Sequence, residues 1–407
     1  MSRPRILFLC QTLPYPPDGG VKIRSFNILR LLSKTYDVSA LCFVRRGTVP
    51  DLESSVAALR KLAASVDAFP IEQEQARIRL VRDHLESTLF RRVYTVQTYR
   101  NAAFSRRLRE LVRSGAHALA HMDSLDLSGH LPKLAGIPTI CTHHNVESVL
   151  LRRRAALEGT ALRRRYLMMQ ADLMEREERR WCPGVALNVV VSEDDRTTLS
   201  QLAPGSRIAV VPNGVDTDEF RPREQAVAGM VFVGGMTWFP NKDALEYFAS
   251  EILPLLADVR AAHPVTWVGR ALPGAAESYA ARGVRLTGYV DSIQPHVQAA
   301  ACYVVPLRVG GGTRLKILDA WAMGKAIVST SVGCEGLEAR DGWNILIRND
   351  PREFADAVRA VLADPELRER LGRNARRTAE DVYSWDVIGR HMMTEYEKVR
   401  AATRAGG

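Results

Sequence analysis

The sequence predicts two α/β domains in tandem, each a doubly wound sheet of parallel strands covered by helices. Three observations lead to this expectation. Arg5 to Cys10 is a short apolar run that breaks into the loop TLPYPPDGGVKIR and then into a helical pattern near Ser25, carrying Ile28, Leu29, Leu31 and Leu32. A second series of the same kind opens at Met230-Val231-Phe232-Val233-Gly234-Gly235, after a stretch rich in proline, charge and alanine, Arg221 to Gly229, that reads as a linker. A third run, Ala300 to Leu307, breaks into Gly310-Gly311-Gly312 and at once into a helix with Leu315, Leu318, Ala322 and Met323 on one face. Strand, glycine turn and helix make up the opening unit of a doubly wound sheet, whose binding crevice is formed by loops at the carboxyl ends of the strands.

At 407 residues the chain is long enough for two domains, each with its own core. Apolar residues make up 46% and charged residues 25%, the balance of a soluble globular protein. No apolar run approaches the length that crosses a bilayer, and Ile6 to Cys10 is too short for the core of a signal peptide, so a cytoplasmic location is expected. Cys10, Cys42, Cys141, Cys182, Cys302 and Cys334 stand singly, mostly within apolar segments. No metal-ligand spacing joins them, which points to buried free thiols and to no metal site. The net charge of +10 is unevenly placed: residues 1–222 hold 33 Lys and Arg against 24 Asp and Glu, and the remainder 23 against 22. A phosphate-bearing acceptor or an anionic membrane surface would explain a basic first half. Nucleic acid would explain it too, but no recognised nucleic-acid motif accompanies the charge.

Taken in order, Val38 to Val44 reads as the second strand and Leu52 to Ala64 as an amphipathic helix. Residues 71–113 are helical in pattern and dense in arginine, with Leu80, Val81, Leu85, Leu89 and Phe90 interleaved. Such a run is either a solvated helix face or a segment resting on an anionic interface. Two further strands, Ala116 to Ala120 and Pro138 to Cys141, end at His121-Met122-Asp123 and at Thr142-His143-His144-Asn145-Val146-Glu147. In a parallel sheet both ends face the crevice that Gly19 and Gly20 face, which gathers three histidines with Asp123 and Glu147. A long basic helix follows from Val149 to Trp181, and Ser192-Glu193-Asp194-Asp195 caps the helix after strand Val189 to Val191. Ile208 to Val211 leads into Pro212-Asn213-Gly214-Val215-Asp216. In the second half, strand Val265 to Val268 is followed by Gly269 and Arg270, and Val284 to Leu286 by Gly288-Tyr289-Val290. Helices Pro351 to Ala363, Pro365 to Asp381 and Trp385 to Val399 close the chain.

The stretch after Leu307 carries the chemistry. A glycine turn that feeds a helix start leaves backbone N–H groups unpaired and points the positive end of the helix dipole at whatever approaches. That is an anion site, most often for phosphate. Thr313 is placed to cap this helix, and Asp319, one turn inside, can accept hydrogen bonds from hydroxyls such as those of a ribose. The plain alternative is a tight βα turn followed by a solvated acid.

The block Asp319-Ala320-Trp321-Ala322-Met323-Gly324-Lys325-Ala326-Ile327-Val328 resembles the donor-site signature of the nucleotide-sugar glycosyltransferases of the GT-B fold, specifically the large retaining family 4. The resemblance covers nearly the whole chain and implies two Rossmann-like, doubly wound domains facing an interdomain cleft. These would be an acceptor-binding domain over 1–222 and a donor-binding domain over 223–384, with a C-terminal helix at 385–407 crossing back to the first. It implies that Asp319 holds the nucleotide ribose. Gly311 stands where the family has a further acid, so contacts to the donor sugar are expected from the backbone of Gly310, Gly311, Gly312 and Thr313, or from Arg308, Arg314 or Lys316, with Leu315 alongside. Gly19 and Gly20 match the glycine pair placed against the donor phosphate, where Lys22 and Arg24 could add charge. Gly234, Gly269 and Arg270 line the same side, Lys242 is the nearest cation to the family's phosphate-binding pair, and Tyr289 and Val290 fall in the loop that reads the base. His121 matches the strand-end histidine beside the reacting sugar, and His143, His144, Asn145 and Glu147 the acceptor side.

The function implied is hexosyl transfer from a nucleotide diphosphate sugar to an acceptor hydroxyl with retention of configuration, in polysaccharide or glycolipid assembly. His121, Arg314 and Lys316 would be the catalytic set, with no metal and no cofactor beyond the donor substrate. The expected partners are the donor and a lipid-linked or small-molecule acceptor, with an anionic membrane surface as a docking place for the basic first domain and no nucleic acid. The rival readings are a non-catalytic sugar-nucleotide-binding module, an epimerase or phosphorylase on the same fold, and a transferase for a soluble acceptor.

Overall fold

Ile6 to Cys10 have no exposed surface, as a strand covered on both faces requires. That strand is an interior one, third in a seven-stranded sheet, in the computed structural model, which describes residues 3–405 apart from 76, 224–226 and 311–313. The strands are β1 (Arg5–Cys10), β2 (Asp37–Val44), β3 (Ser65–Pro70), β4 (His117–Met122), β5 (Thr139–Thr142), β6 (Leu187–Val190) and β7 (Ile208–Val210). They lie in the order β3-β2-β1-β4-β5-β6-β7, and every ladder is parallel. Winding therefore reverses between β1 and β4. The helix Gly20–Ser33 follows β1 at this reversal, with Ile28, Leu29, Leu31 and Leu32 buried. The basic stretch before β4 forms helices Arg77–Leu89, Tyr94–Thr98 and Ala102–Arg113. Ser192 caps the helix Glu193–Leu202 by accepting from the Asp195 N–H.

The second sheet repeats the plan with six strands: β8 (Met230–Val233), β9 (Val265–Val268), β10 (Val284–Leu286), β11 (Cys302–Val305), β12 (Ile327–Ser329) and β13 (Leu346–Ile347). Their order is β10-β9-β8-β11-β12-β13, again all parallel, so the reversal falls between β8 and β11. Phe232, Trp267, Phe248, Trp321 and Phe354 fill its core.

The two compact units are residues 1–212 with 389–407, and residues 213–388. The linker expected at 221–229 thus begins too late, and the boundary comes ten residues before the expected 222. The reason is visible in the hydrogen bonds of residues 213–220, which go to the second unit: Val215 N donates to Tyr383 O at 2.8 Å, and Arg376 donates to Thr217 O and Phe220 O at 3.0 and 2.8 Å. Residues 389–407, the larger part of helix Trp385–Ala405, pack on the first unit. There Tyr396 donates to or accepts from His121 Nδ1 at 2.6 Å, and Tyr36 donates to Glu397 at 2.8 Å. All six cysteines are buried free thiols.

One glycine decides how helices close the second unit. Gly372 sits inside helix Pro365–Thr378, where glycine costs about 1 kcal/mol against alanine, yet a Cβ there would come within 2.2 Å of Gly324 O. The helix approaches the Gly324 turn too closely for any side chain. Gly372→Ala is expected to destabilise the protein by roughly 1 to 3 kcal/mol in spite of its better helix propensity, read as a lower urea midpoint. A stabilised variant would refute the close contact.

Candidate functional site

In the first unit the carboxyl ends of β1, β4 and β5 meet at Asp123, which has no exposed surface. Its Oδ2 accepts from Ser25 Oγ at 2.7 Å and from the Cys10 thiol at 3.2 Å, and His144 Nε2 lies 3.5 Å away. His121 Nε2 is 3.7 Å from Oδ1. Burial alone would push the Asp123 carboxyl up; the His144 and His121 rings outweigh it and hold the group well below the ordinary carboxylate range. His121 is itself wholly buried, stacked on Phe8 with centroids 4.7 Å apart, and burial pushes its ring pKa down despite Asp123. Next to this cluster, Glu147 is half-buried and its carboxyl is raised to about 8, first by burial and then by Asp126 and Glu178.

In the second unit the ends of β8, β9 and β11 form the corresponding place. Gly234 and Gly269 let the ends of β8 and β9 touch: a Cβ on Gly269, at φ +143, would lie 2.7 Å from Gly234 C. Beneath them Phe232 and Trp267 stack at 3.8 Å, and the Trp267 indole N–H donates to Gly234 O at 3.0 Å. The helix Leu315–Ala322 follows β11, and its two charged residues, one turn apart, stay partly accessible: Lys316 and Asp319. Lys316 Nζ donates to Asn241 Oδ1 at 2.7 Å and sits 4.2 Å above the Phe232 ring, so its ammonium meets an amide and an aromatic face. Burial, with Arg314 second, lowers its pKa to about 7. The Asp319 carboxyl has no hydrogen-bond partner among the described residues, and burial, with Glu219 second, raises its pKa to about 7. No ion pair joins the two among the described residues.

A sequence profile described as "Glycosyltransferase Family 4" matches residues 19–219, and one described as "Glycosyl transferases group 1" matches residues 228–364. The chain belongs to these glycosyltransferases. Among its relatives are D-inositol 3-phosphate glycosyltransferases from Nocardioides sp., 28% identical over 50% of this chain and 51% of that protein, and from Geodermatophilus obscurus, 32% identical over 44% and 45%. The chain thus spans about half the length of these curated relatives. The alpha-maltose-1-phosphate synthase of Mycobacterium tuberculosis is 25% identical over 74% of this chain and 85% of that enzyme. Among solved structures, HepE from Anabaena in complex with UDP and glucose matches 97% of this chain and 99% of its own, with a TM-score of 0.65 and 14% identity. TarM matches 96% and 98%, with a TM-score of 0.66 and 11% identity. The fold of this glycosyltransferase is therefore GT-B.

Several expected site residues of the glycosyltransferase are placed differently from the expectation. His121 does not face a crevice, because Phe8 and Tyr396 enclose its ring; it is a positioning neighbour of Asp123. His143 is a core residue, 3.0 Å from Asn188 Oδ1, with its pKa lowered to about 4 by burial. Lys22 and Arg24 are not available to a phosphate. Lys22 is held by Asp18 and Thr48 O, both at 2.9 Å, and the buried Arg24 donates to Val211 O and Pro212 O. Arg314 is buried and donates to Val332 O at 2.9 Å and to Glu335 at 3.3 Å, and Arg308 is paired with Asp243 at 2.8 Å.

Other residues keep accessible surface. Gly20, Lys242, Arg270 and Tyr289 are exposed, with the Arg270 guanidinium 5.3 Å from the Tyr289 ring. Gly19, His144 and Asn145 are partly accessible, while Val290 and Leu315 pack against the core of the second unit. Gly310 has a positive φ of +151°, and a Cβ there would lie 2.9 Å from the Arg314 guanidinium. Gly311, Gly312 and Thr313 lie outside the described residues. Sequence reading missed Ser25, Asn241 and Tyr396, which act through contacts between residues far apart in the chain. The only signal pointing to any of them was the place of Asn241 beside Lys242 after the β8 glycines.

The buried histidines make stability depend on pH. His143 and His130 have folded pKa values of about 4, below the ordinary 6.5, so on acidification the unfolded chain takes up protons that the folded one refuses. Stability is lost as pH falls from 6.5 towards 4. For one such site the loss between pH 7 and 5 is about 2 kcal/mol. His143→Gln, which can keep a bond to Asn188, is expected to flatten the urea midpoint across that interval. An unchanged pH dependence would remove His143 from the account.

Proposed function

We propose that this glycosyltransferase moves a hexosyl group from a nucleotide diphosphate sugar to an acceptor hydroxyl with retention of configuration. One observation carries the reading. Helix Leu315–Ala322 presents, one turn apart, a lysine held by a neutral amide and a carboxyl with no partner among the described residues. A nucleoside diphosphate satisfies both at once, its diphosphate taking the ammonium and its ribose hydroxyls donating to Asp319. The HepE structures with UDP and with UDP-glucose make a uridine donor the first candidate.

In the transfer, the bond between the anomeric carbon and the diphosphate oxygen breaks while the acceptor oxygen bonds to that carbon. Positive charge develops on the sugar and negative charge on the departing diphosphate. Lys316 stabilises the latter, and its pKa rises from about 7 as the diphosphate binds. For retention, the acceptor attacks the face that the leaving group vacates, and the acceptor proton passes to a leaving phosphate oxygen. Arg314 supports Lys316 by fixing the loop at Val332, to whose carbonyl it donates. The basic first half and the phosphate-bearing names of several relatives favour an anionic acceptor, lipid-linked or soluble.

The test is a thermal-shift panel of UDP-, GDP-, TDP- and ADP-sugars, followed by calorimetric titration of the donor that shifts the protein. Asp319→Ala and Lys316→Met are each expected to weaken donor binding roughly tenfold to a hundredfold, the worth of one charge-assisted hydrogen bond. Donor affinity should also peak near pH 7: below it Asp319 is protonated and a weaker acceptor, above it Lys316 loses its charge. Lys316→Met should abolish the alkaline limb and Asp319→Asn the acid limb. Unchanged binding in either variant would sink the assignment. Slow release of free sugar without acceptor separates an enzyme from a binding module, and proton NMR of the product's anomeric signal reads retention.

A further inference from the structure

Helix Arg77–Leu89 is inside out. Ile78, Val81, Leu85 and Leu89 recur at the spacing of a single helical stripe, and that stripe faces outward: Ile78 is 83% exposed, Leu85 64% and Leu89 76%, with Phe90 exposed just beyond. The face turned towards the protein is polar. Ser87 has no exposed surface, accepts from Gln170 Nε2 and donates to Arg92 O, both at 2.7 Å, and Gln170 Oε1 in turn accepts from Tyr94 N. Asp83 is buried, and His84 Nδ1 lies 2.8 Å from Tyr166 OH with its ring stacked on Tyr94 at 3.9 Å. These bonds fix the roll of the helix, so the apolar stripe cannot turn inward without leaving them unmade.

An exposed apolar stripe of this kind marks an interaction surface, and its rim identifies the partner. The start of helix Ala161–Trp181 lies beside it and exposes Leu162, 78% accessible, together with Arg163, Arg164, Arg165 and Met168. Arg91 lines a shallow hollow with Arg164, Arg165 and Met168, which makes the two helices one surface. Arg79 and Arg82 are held by Glu72 and by Asp83 and Glu86, but Arg91, Arg163 and Arg165 have no acidic partner among the described residues. A second copy of the chain would bring these arginines against one another across a two-fold axis. A bilayer with anionic headgroups accepts both the apolar stripe and the arginine rim.

We propose that this face seats the protein on an anionic lipid surface, with the Arg77–Leu89 helix lying in the interface plane. The inference deepens the proposed function by naming the surface from which a lipid-linked acceptor would be reached. The test is co-sedimentation of the full chain with vesicles of phosphatidylcholine alone and of phosphatidylglycerol mixed with phosphatidylcholine. Binding is expected on the anionic vesicles only, and to fall as salt rises. Ile78→Glu/Leu85→Glu and Arg91→Glu/Arg163→Glu should each reduce it roughly tenfold or more. These side chains are exposed, so thermal melting and slow donor hydrolysis should stay unchanged. Equal binding to both vesicles, no binding to either, or full binding by the two double variants would overturn the proposal. So would a dimer in sedimentation velocity that Leu85→Glu dissociates, since the occupant would then be a second copy. Hydrolysis that persists while vesicle binding fails would leave the sugar-transfer reading intact, and vesicle binding without hydrolysis would leave the membrane surface intact.

Discussion

A doubly wound parallel sheet reverses its winding, here beside the first strand of each sheet, and in both units that reversal decides where chemistry can sit. The reversal separates the loops that leave β1 and β4, and those that leave β8 and β11, so backbone polar groups and side chains gather there with no strand to cover them. The sequence meets this demand with glycines and short polar clusters at the strand ends, and with long apolar runs everywhere else. The two units share that plan and differ in how they satisfy it.

In the first unit the polar cluster is closed upon itself. Asp123 is ionised without any exposed surface because Ser25 and Cys10 donate to it and His144 and His121 stand close by. A buried carboxylate is tolerated only when such partners surround it. The cluster ties together the first helix, β1, β4 and the loop after β5, and through His121 and Tyr396 it also holds residues 389–407. Its role is to set the shape of the strand ends. The second unit leaves its charges open: the amide of Asn241 holds Lys316 without neutralising it, and nothing among the described residues donates to Asp319.

How much of this was legible in the sequence follows from the range of each interaction. The alternation of apolar runs, glycine turns and amphipathic helices is local, so most strands of both sheets, the helix after β11 and the position of Asp319 could be read directly, whereas the edge strand β3, interrupted by Asp67 and ending in Pro70, could not. The fate of His121 could not, because the residue that closes over it is 275 positions away. Arg24 is similar, since its carbonyl acceptors lie 187 and 188 residues along the chain. The domain boundary was misplaced because proline and charge after Phe220 look like a linker, whereas the deciding contacts are those of Val215 with Tyr383 and of Arg376 with Thr217. Periodicity announced the Arg77–Leu89 helix but not its roll. An apolar stripe ordinarily turns inward, and only the distant Gln170 shows why Ser87 holds that place here.

The cations near the β11 connection differ in how far the protein itself already neutralises them. Arg308 lies against Asp243 in a two-bond pair, and Arg314 reaches Glu335 and a carbonyl, so each is already matched by the protein. An anion arriving at either must first displace a carboxylate, which returns most of the Coulomb gain. Lys316 faces no such exchange, because an amide oxygen and an aromatic face orient its ammonium without cancelling the charge. Its pKa near 7 records the cost of that missing counter-charge, and Asp319 near 7 records the same cost with the opposite sign. A protein selected only for stability would pair the two across one helical turn. Holding them apart and unneutralised makes physical sense if a ligand carrying a negative group and hydroxyl donors completes the site, and that is the chemistry of a nucleoside diphosphate.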